Sequence, residues 1–488
     1  MKKRIIFFAA LLALSAGTVC AQYNETNNLF YFSQRSSQTN MLNPALMPKA
    51  SFYLQLPSTG FRLGLPLSVS DIVKYNPDEQ RSVINVTDVL HQLGENNKFR
   101  NGIDIDMLGF GFKVNNLFFN FNSRLVMNTE FGIPVEVVNG ILQGNMDGDT
   151  PIQEVQLLKG DLFNMQAYLE NSLGAGYKIS PINLTVGAHV KLLSGLFNIT
   201  TNETNVTLET SEDGDEVVAH VYYKIQEAAA IPISQNDEGN PDFGQTISDI
   251  PSHIGQHITN LIDPFKGNTG VAFDLGARWD LGGLTVTASI NDLTSGIHWR
   301  NNINTFEPKG GSGDFRFSGV EINNMMNGGS INSDSIAAHF TEQLNNLMPQ
   351  FVIDDQNGAY TFAIPTKMNL GVSYTFLRVF RAGLLFHGQF DKGITRLNLI
   401  KDNMNTFRFN TTLSAGVNLF NWAELLVASS VVNDGDKMNF FNPGVGLVFT
   451  PGTVLQTYVM VDYLSSIYAT QVKAANVKFG MSVIIGRK

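Results

Sequence analysis

Large apolar residues recur at every second position along much of this chain, with small or polar residues between them. In Leu370-Gly371-Val372-Ser373-Tyr374-Thr375-Phe376 the alternation is unbroken. Phe273, Leu275, Ala277, Trp279 and Leu281 form one face of a run, opposite Asp274, Gly276, Arg278 and Asp280. Thr411, Leu413, Ala415, Val417 and Leu419 oppose Thr412, Ser414, Gly416 and Asn418. Phe479, Met481, Val483 and Ile485 oppose Lys478, Gly480, Ser482 and Ile484. A period of two with one greasy face marks a strand between two unlike surroundings. In a soluble sandwich that face is the core. In a membrane barrel it meets lipid, and the small polar face lines the lumen. Periodicity alone leaves both open.

Three features favour the barrel. Many runs reach about ten to twelve residues, the length a tilted membrane strand needs. The opposite face, rich in Gly, Ser, Asn and Thr, would make a poor soluble core. Aromatic residues gather near strand ends, at Phe118-Phe119, Tyr222-Tyr223, Trp299 and Phe440-Phe441, where interfacial girdles sit.

The pattern predicts strands near 51–57, 103–113, 116–127, 165–178, 182–193, 196–209, 216–227, 269–281, 283–293, 313–321, 360–376, 379–391, 405–420, 422–433, 436–449, 454–463 and 474–486. Some of these pair inside loops rather than in the wall. Single-chain bacterial barrels have even strand numbers, and about fourteen is favoured, with sixteen as the neighbour. Tight turns are expected at Asp213-Gly214-Asp215, Gly282-Gly283 and Asn433-Asp434-Gly435-Asp436. Helix-like stretches at 335–348, 247–262 and 133–142, the last with Pro134 in its first turn, are expected in extracellular loops or folded into the lumen. The fold expected is therefore all-β, a transmembrane antiparallel barrel.

Composition narrows the choice. Charged residues are 16% of the 488 and aromatics 10%, with 35 Phe, whereas an average soluble domain carries nearer a quarter charged. No run of about twenty apolar residues follows residue 21, which rules out a helical membrane protein. Lys2, Lys3 and Arg4 precede the apolar stretch Ile5 to Leu14 and the exit Val19-Cys20-Ala21, so residues 1–21 read as a secretory signal peptide. Cys20 is the only cysteine, and the residues before it lack the usual lipoprotein pattern. Cleavage after Ala21 would leave no disulfide and no thiolate metal site. A net charge of −10 without any basic block argues against nucleic acid as a partner.

Catalytic and metal signatures are unconvincing. The pair His253 and His257 lacks the glutamate of a zincin helix, since Ile254-Gly255-Gln256 intervene. No G-x-S-x-G elbow, P-loop or dinucleotide fingerprint is present. Asp147-Gly148-Asp149 and Asp213-Gly214-Asp215 are accounted for by turn chemistry, although calcium would need similar oxygens. The expectation is no enzyme, no cofactor and no metal. Asp104 and Asp106 share one strand face, as do Asp274, Arg278 and Asp280; these are the polar lumen candidates, as hydrated structural groups or as ion-selecting ones. Pro365 and Pro443 fall in expected wall strands, where a missing N–H favours a kink.

Asn43-Pro44-Ala45-Leu46, with Pro48 close behind, reads as an Asx-Pro turn leading into a strand. The same element is similar to the start of the FadL-type outer-membrane barrels. Phe273-Asp274-Leu275-Gly276-Ala277, Ser289-Ile290-Asn291-Asp292-Leu293, Gly296-Ile297-His298-Trp299, Phe131-Gly132-Ile133-Pro134 and Gly144-Asn145 together resemble an exported barrel family of Bacteroidota-type bacteria with unassigned function. That family looks related to FadL-type barrels and to barrels associated with type IX secretion. The resemblance runs over about residues 28 to 465, but the chain ends Ile484-Ile485-Gly486-Arg487-Lys488 rather than on the usual aromatic residue. It implies a bacterial outer-membrane location, and residues 22–50 folded back as a hatch in a barrel spanning 51–488. It also implies gating by Asn43, Pro44, Ala45 and Leu46, passage of a small hydrophobic ligand, and lateral release at Pro365 or Pro443. The alternative it implies is a scaffold or shuttle that binds an exported protein through long loops at 228–266 and 301–358.

Overall fold

The two-residue repeat becomes a closed wall. The computed structural model describes residues 27–486, with breaks in the loops, the longest at 231–260, 318–351 and 391–406. Fourteen antiparallel strands form the wall. The first, β1, comes in two pieces, Phe52–Gln55 and Ser58–Gly64, interrupted at Pro57, which has no N–H to give to the ladder. Then come β2 (Asn96–Val114), β3 (Leu117–Pro134), β4 (Phe163–Ile179), β5 (Leu184–Thr210), β6 (Thr269–Leu281) and β7 (Leu284–Leu293). The second half is β8 (Thr366–Phe376), β9 (Phe380–Phe390), β10 (Phe407–Leu419), β11 (Ala423–Asn433), β12 (Met438–Phe449), β13 (Leu455–Asp462) and β14 (Ala474–Ile485). Both pieces of β1 pair with β2 on one side and β14 on the other, so no edge is left.

Outward residues such as Leu173, Val190, Leu275, Leu370, Leu413, Val445, Val459 and Phe479 are exposed, while their inward neighbours are small or polar. An exposed apolar band running round a whole barrel is stable only against hydrocarbon. Among the described residues no helix is long and apolar enough to cross a membrane; the strands do it. The short turns, at Asn115-Asn116, 180–183, Gly282-Gly283, between Phe376 and Phe380, and at 450–454, all lie at one end of the barrel. Asn115, Asn183 and Gly282 take the left-handed backbone there, at φ 54°, 51° and 67°. Exposed Trp279, Trp422, Tyr177 and Phe376 ring this end.

Several sequence expectations are corrected. The segments 182–193 and 196–209 are one 27-residue strand. The gap between them is a bulge at Gly195, with Leu196 skipped between the pairs Tyr168↔Gly195 and Ala167↔Phe197. The upper half of β5 leaves the wall and pairs with Val217–Ala229 and Glu154–Lys159. The stretches at 216–227 and 313–321 are therefore not wall strands; Gly313–Phe317 pairs with Val217–Ala229 at the end opposite the short turns. Trp299 is not a girdle residue. Past the left-handed Asp292 and Thr294, the chain of β7 continues as Gly296–Trp299, and Trp299 is fully buried with Tyr168, Leu193 and Ile297. Phe118 points inward and is buried; only Phe119 is exposed. Pro134 ends β3 and a helical turn starts at 135–136, one residue after it; the rest of the stretch expected as a helix to 142 lies outside the described residues. The helices expected at 335–348 and, for the most part, 247–262, the turns at 213–215 and 434–436, His253, His257 and the signal segment lie outside the described residues.

Candidate functional site: the plugged lumen

Residues 27–50 fold inside the barrel, and the wall is shaped to take them. Gly176 of β4, Gly187 of β5 and Gly276 of β6 stand in one row, paired Gly176↔Gly187 and Gly187↔Gly276, on the inward face. A Cβ on Gly187 would stand 2.4 Å from the Pro44 carbonyl oxygen, and one on Gly276 would stand 2.1 Å from Asn43 Oδ1. The Asn43-Pro44-Ala45 turn thus rests on a floor without side chains. The turn is also closed internally: Asn43 Oδ1 accepts the Ala45 N–H at 2.9 Å, while Nδ2 donates to Tyr31 Oη at 3.1 Å and to the Ala288 carbonyl at 3.2 Å. Leu46 is buried beside it. Because the obstruction at Gly187 is backbone, Gly187→Val should unseat the turn while the wall ladder survives. Protease cleavage within 27–50 is expected to quicken at least about tenfold, with the folded band retained on a gel.

Further along, a single-turn helix, α1 (Leu29–Phe32), starts at Asp462, whose Oδ2 accepts the N–H groups of Asn28 at 2.9 Å and Leu29 at 3.3 Å. Asn28 donates to Asn410 and Thr412. Glu424 accepts from Ser33 Oγ at 2.5 Å and the Gln34 N–H at 2.9 Å, and Arg35 donates to Asn418. The side chains of α1 lie on an apolar patch of Leu385, Leu426, Val448 and Met460, with Phe30 edge-on to Tyr458 at 5.1 Å.

A belt of charge crosses the remaining lumen. Arg62 pairs with Asp104, and Arg124 with Glu170 at 2.8 Å. Lys191 meets Asp292 at 2.7 Å, Asp274 at 3.0 Å and Glu170 at 3.6 Å. His189 Nδ1 stands 3.0 Å from Asp274, and Lys367 3.5 Å from Asp292. Lys478 and Ser58 both hold Asp106 at 2.7 Å. Asp292 keeps φ at 59°, a conformation a non-glycine residue holds only where its surroundings fix it; here its carboxylate takes two lysines and its N–H goes to Asp274. A cavity of about 70 Å³ separates this belt from Phe30, Met41 and Leu42 of the plug. All five polar lumen candidates therefore face inward, in two groups. Asp104, Asp106 and Asp274 belong to the belt and are buried, whereas Arg278 and Asp280 pair with each other at 3.0 Å near the short turns. Pro365 sits where the chain breaks between Tyr360–Ala363 and β8. Pro443 lies two residues above Val445↔Val461, the last rung of the β12–β13 ladder, and its carbonyl accepts the Leu464 N–H. Lys191, Glu170, Arg124 and Lys367 were not singled out from sequence; charged residues on the inward face of an alternating strand were the available signal. Among the described residues no group of three His, Cys, Asp or Glu is placed to hold a metal.

Above the belt, Glu227 of Val217–Ala229 is buried with Oε1 unpartnered among the described residues. Burial pushes its carboxyl up to about 7; burial also raises the Tyr360 hydroxyl, and the Glu227 charge adds to that. A raised acid favours the fold most below its unfolded value, about 4.5, and that contribution fades as pH rises through 7. The strands beyond the wall at this end should lose about 3 kcal/mol of local stability between pH 4 and 8. Hydrogen exchange of 217–229, corrected for intrinsic rates, checks this, and Glu227→Gln should abolish the dependence.

Residues 44–462 match a family model described as a family of unknown function (DUF5723). The chain belongs to that family. The family match opens at Pro44, on the glycine floor, and closes at Asp462, the cap of α1. Comparison with curated proteins returns no match. Among solved structures, the chain is similar to the toluene transporter TbuX of Ralstonia pickettii, at 9% identity and TM-score 0.43, over 92% of this chain and 94% of that one. It is also similar to a FadL homologue of Pseudomonas aeruginosa, at 8% identity and TM-score 0.44, over 97% and 100%. The toluene transporter TodX of Pseudomonas putida gives 9% and 0.38, over 96% and 95%. Identities and scores this low carry no function across.

Proposed function

We propose that this DUF5723 barrel sits in the bacterial outer membrane and passes a small hydrophobic solute, with residues 27–50 as its gate and Asn43-Pro44-Ala45-Leu46 as the seat of that gate. One observation carries the reading. β9, β11, β12 and β13 turn Leu385, Leu426, Val448 and Met460 inward as an apolar patch in the lumen, and the gate covers that patch with the side chains of α1. A hydrophobic solute entering from the extracellular end competes with Leu29, Phe30 and Phe32 for the same surface, and burying it there recovers what the gate gives up. The patch adjoins the top of the β12–β13 ladder, where Leu29 lies against Gly444 beside Pro443. That is the exit into the bilayer on this reading, with the break at Pro365 as the second candidate.

The test uses proteoliposomes and a fluorescent hydrophobic probe, N-phenylnaphthylamine. Met460→Gln keeps the side-chain volume and places a polar amide on the patch. Probe entry should fall at least about fivefold while the barrel stays folded. Entry unchanged by Met460→Gln and by Leu426→Asn together would exclude the patch as the path.

A further inference from the structure

At the short-turn end a second cavity, about 420 Å³, lies between plug and wall. Lys49 of the plug, Lys113 of β2, Lys178 of β4, Arg278 of β6 and Arg381 of β9 line it, against the single lining carboxylate of Asp280. Asp280 is already engaged, by three contacts of 3.0 Å from Arg278 and one of 2.8 Å from Thr285. Lys113 and Arg381 donate to plug carbonyls, those of Pro48 and Phe32, so they are held in place, with the Glu424 carboxylate, outside the cavity lining, offsetting part of the Arg381 charge. Nε of Arg381 is enclosed with no partner among the described residues. Ammonium and guanidinium groups can only donate. Gathering several of them around one concavity raises the local potential and favours an anion with several acceptor oxygens.

We infer that this cavity is a binding site for a small, multiply charged oxyanion, a phosphate group, entered from the periplasmic side. Such an anion touches the plug and the wall at once, so its binding holds the plug in its seat. The site adds a periplasmic control to the gate proposed above, and rests on that reading only for its consequence, not for the binding itself. Free phosphate and the head group of a lysophospholipid present the same chemistry.

The experiment uses the full chain in neutral detergent at constant ionic strength, with calorimetry and the rate of protease cleavage within 27–50 as readouts. Inorganic phosphate should bind saturably and slow cleavage about tenfold, where chloride does not. Lys178→Gln should weaken phosphate at least about fivefold, and Lys178→Arg should restore it. If lysophosphatidic acid protects at concentrations where phosphate does not, the site takes a head group; if phosphate protects alone, it takes the free ion. Phosphate no better than chloride, with lysophosphatidic acid equally inert, would overturn the inference, as would unchanged affinity in Lys178→Gln. The N-phenylnaphthylamine assay run without phosphate reads the gate separately, so either idea can fail alone.

Discussion

Deleting residues 27–50 is expected to raise single-channel conductance in planar bilayers by at least about tenfold, with the barrel still folded. The wall needs nothing from the plug to close, since β14, β1 and β2 complete the ladder among themselves. Plug and wall are joined largely through side chains, as at Asn28, Ser33, Arg35 and Asn43, and not through a shared strand ladder. Removing the plug withdraws α1 from its apolar patch and leaves polar inward side chains that water can solvate. Fourteen strands lie between the eight of a side-chain-filled barrel and the sixteen of an aqueous porin, so an emptied lumen conducts. A band that still shifts on boiling would show that the wall survived. Conductance unchanged in a folded deletion variant would place the obstruction elsewhere in the lumen.

Lys191→Met is expected to be the most damaging single substitution in the wall, costing about 3–5 kcal/mol. Lys191 is 4% exposed in its side chain and serves three carboxylates, of which Asp274 is fully enclosed. Its loss leaves Asp274 with His189 as its remaining side-chain neighbour, while Asp292 still has Lys367 and Glu170 still has Arg124. The cost is that of a stranded charge, not of a lost methylene stem, because Met fills similar space. The double variant Lys191→Met/Asp274→Asn should therefore recover more than half of it. Temperature-dependent loss of the fast-migrating folded band measures both. Equal instability of the single and double variants would mean that packing, not charge, sets the effect.

Sequence pattern revealed the wall well, because lipid and lumen impose opposite demands on adjacent residues. The alternation at 273–281, 370–376, 411–419 and 479–485 is the alternation observed. It failed where a strand leaves the lipid band. The expected strands 182–193 and 196–209 part at Ser194-Gly195, yet the glycine marks a bulge that makes room for the Trp299 ring. Trp299 itself lies near a strand end, but one that has risen above the hydrocarbon. The plug seat was half visible. Asn43-Pro44-Ala45 stood out, but its floor is three glycines, Gly176, Gly187 and Gly276, that only strand register brings together. The belt was hidden for the same reason: Lys191, Glu170 and Asp292 lie far apart in sequence, and single-strand periodicity says that each faces inward but not that they meet.

The central claim, that one face of each strand meets hydrocarbon while the other faces an enclosed interior, is tested most directly by a spin-label scan along β6 in lipid vesicles. Cys20 is the only native cysteine, so single cysteines can be placed along β6 once it is replaced. Labels at 273, 275, 277 and 279 should collide readily with dissolved oxygen, and those at the inward positions 278 and 280, clear of the glycine floor and the charge belt, should be shielded from it. A profile without that two-residue alternation, or the same mobility for every label in detergent-free buffer, would contradict the account.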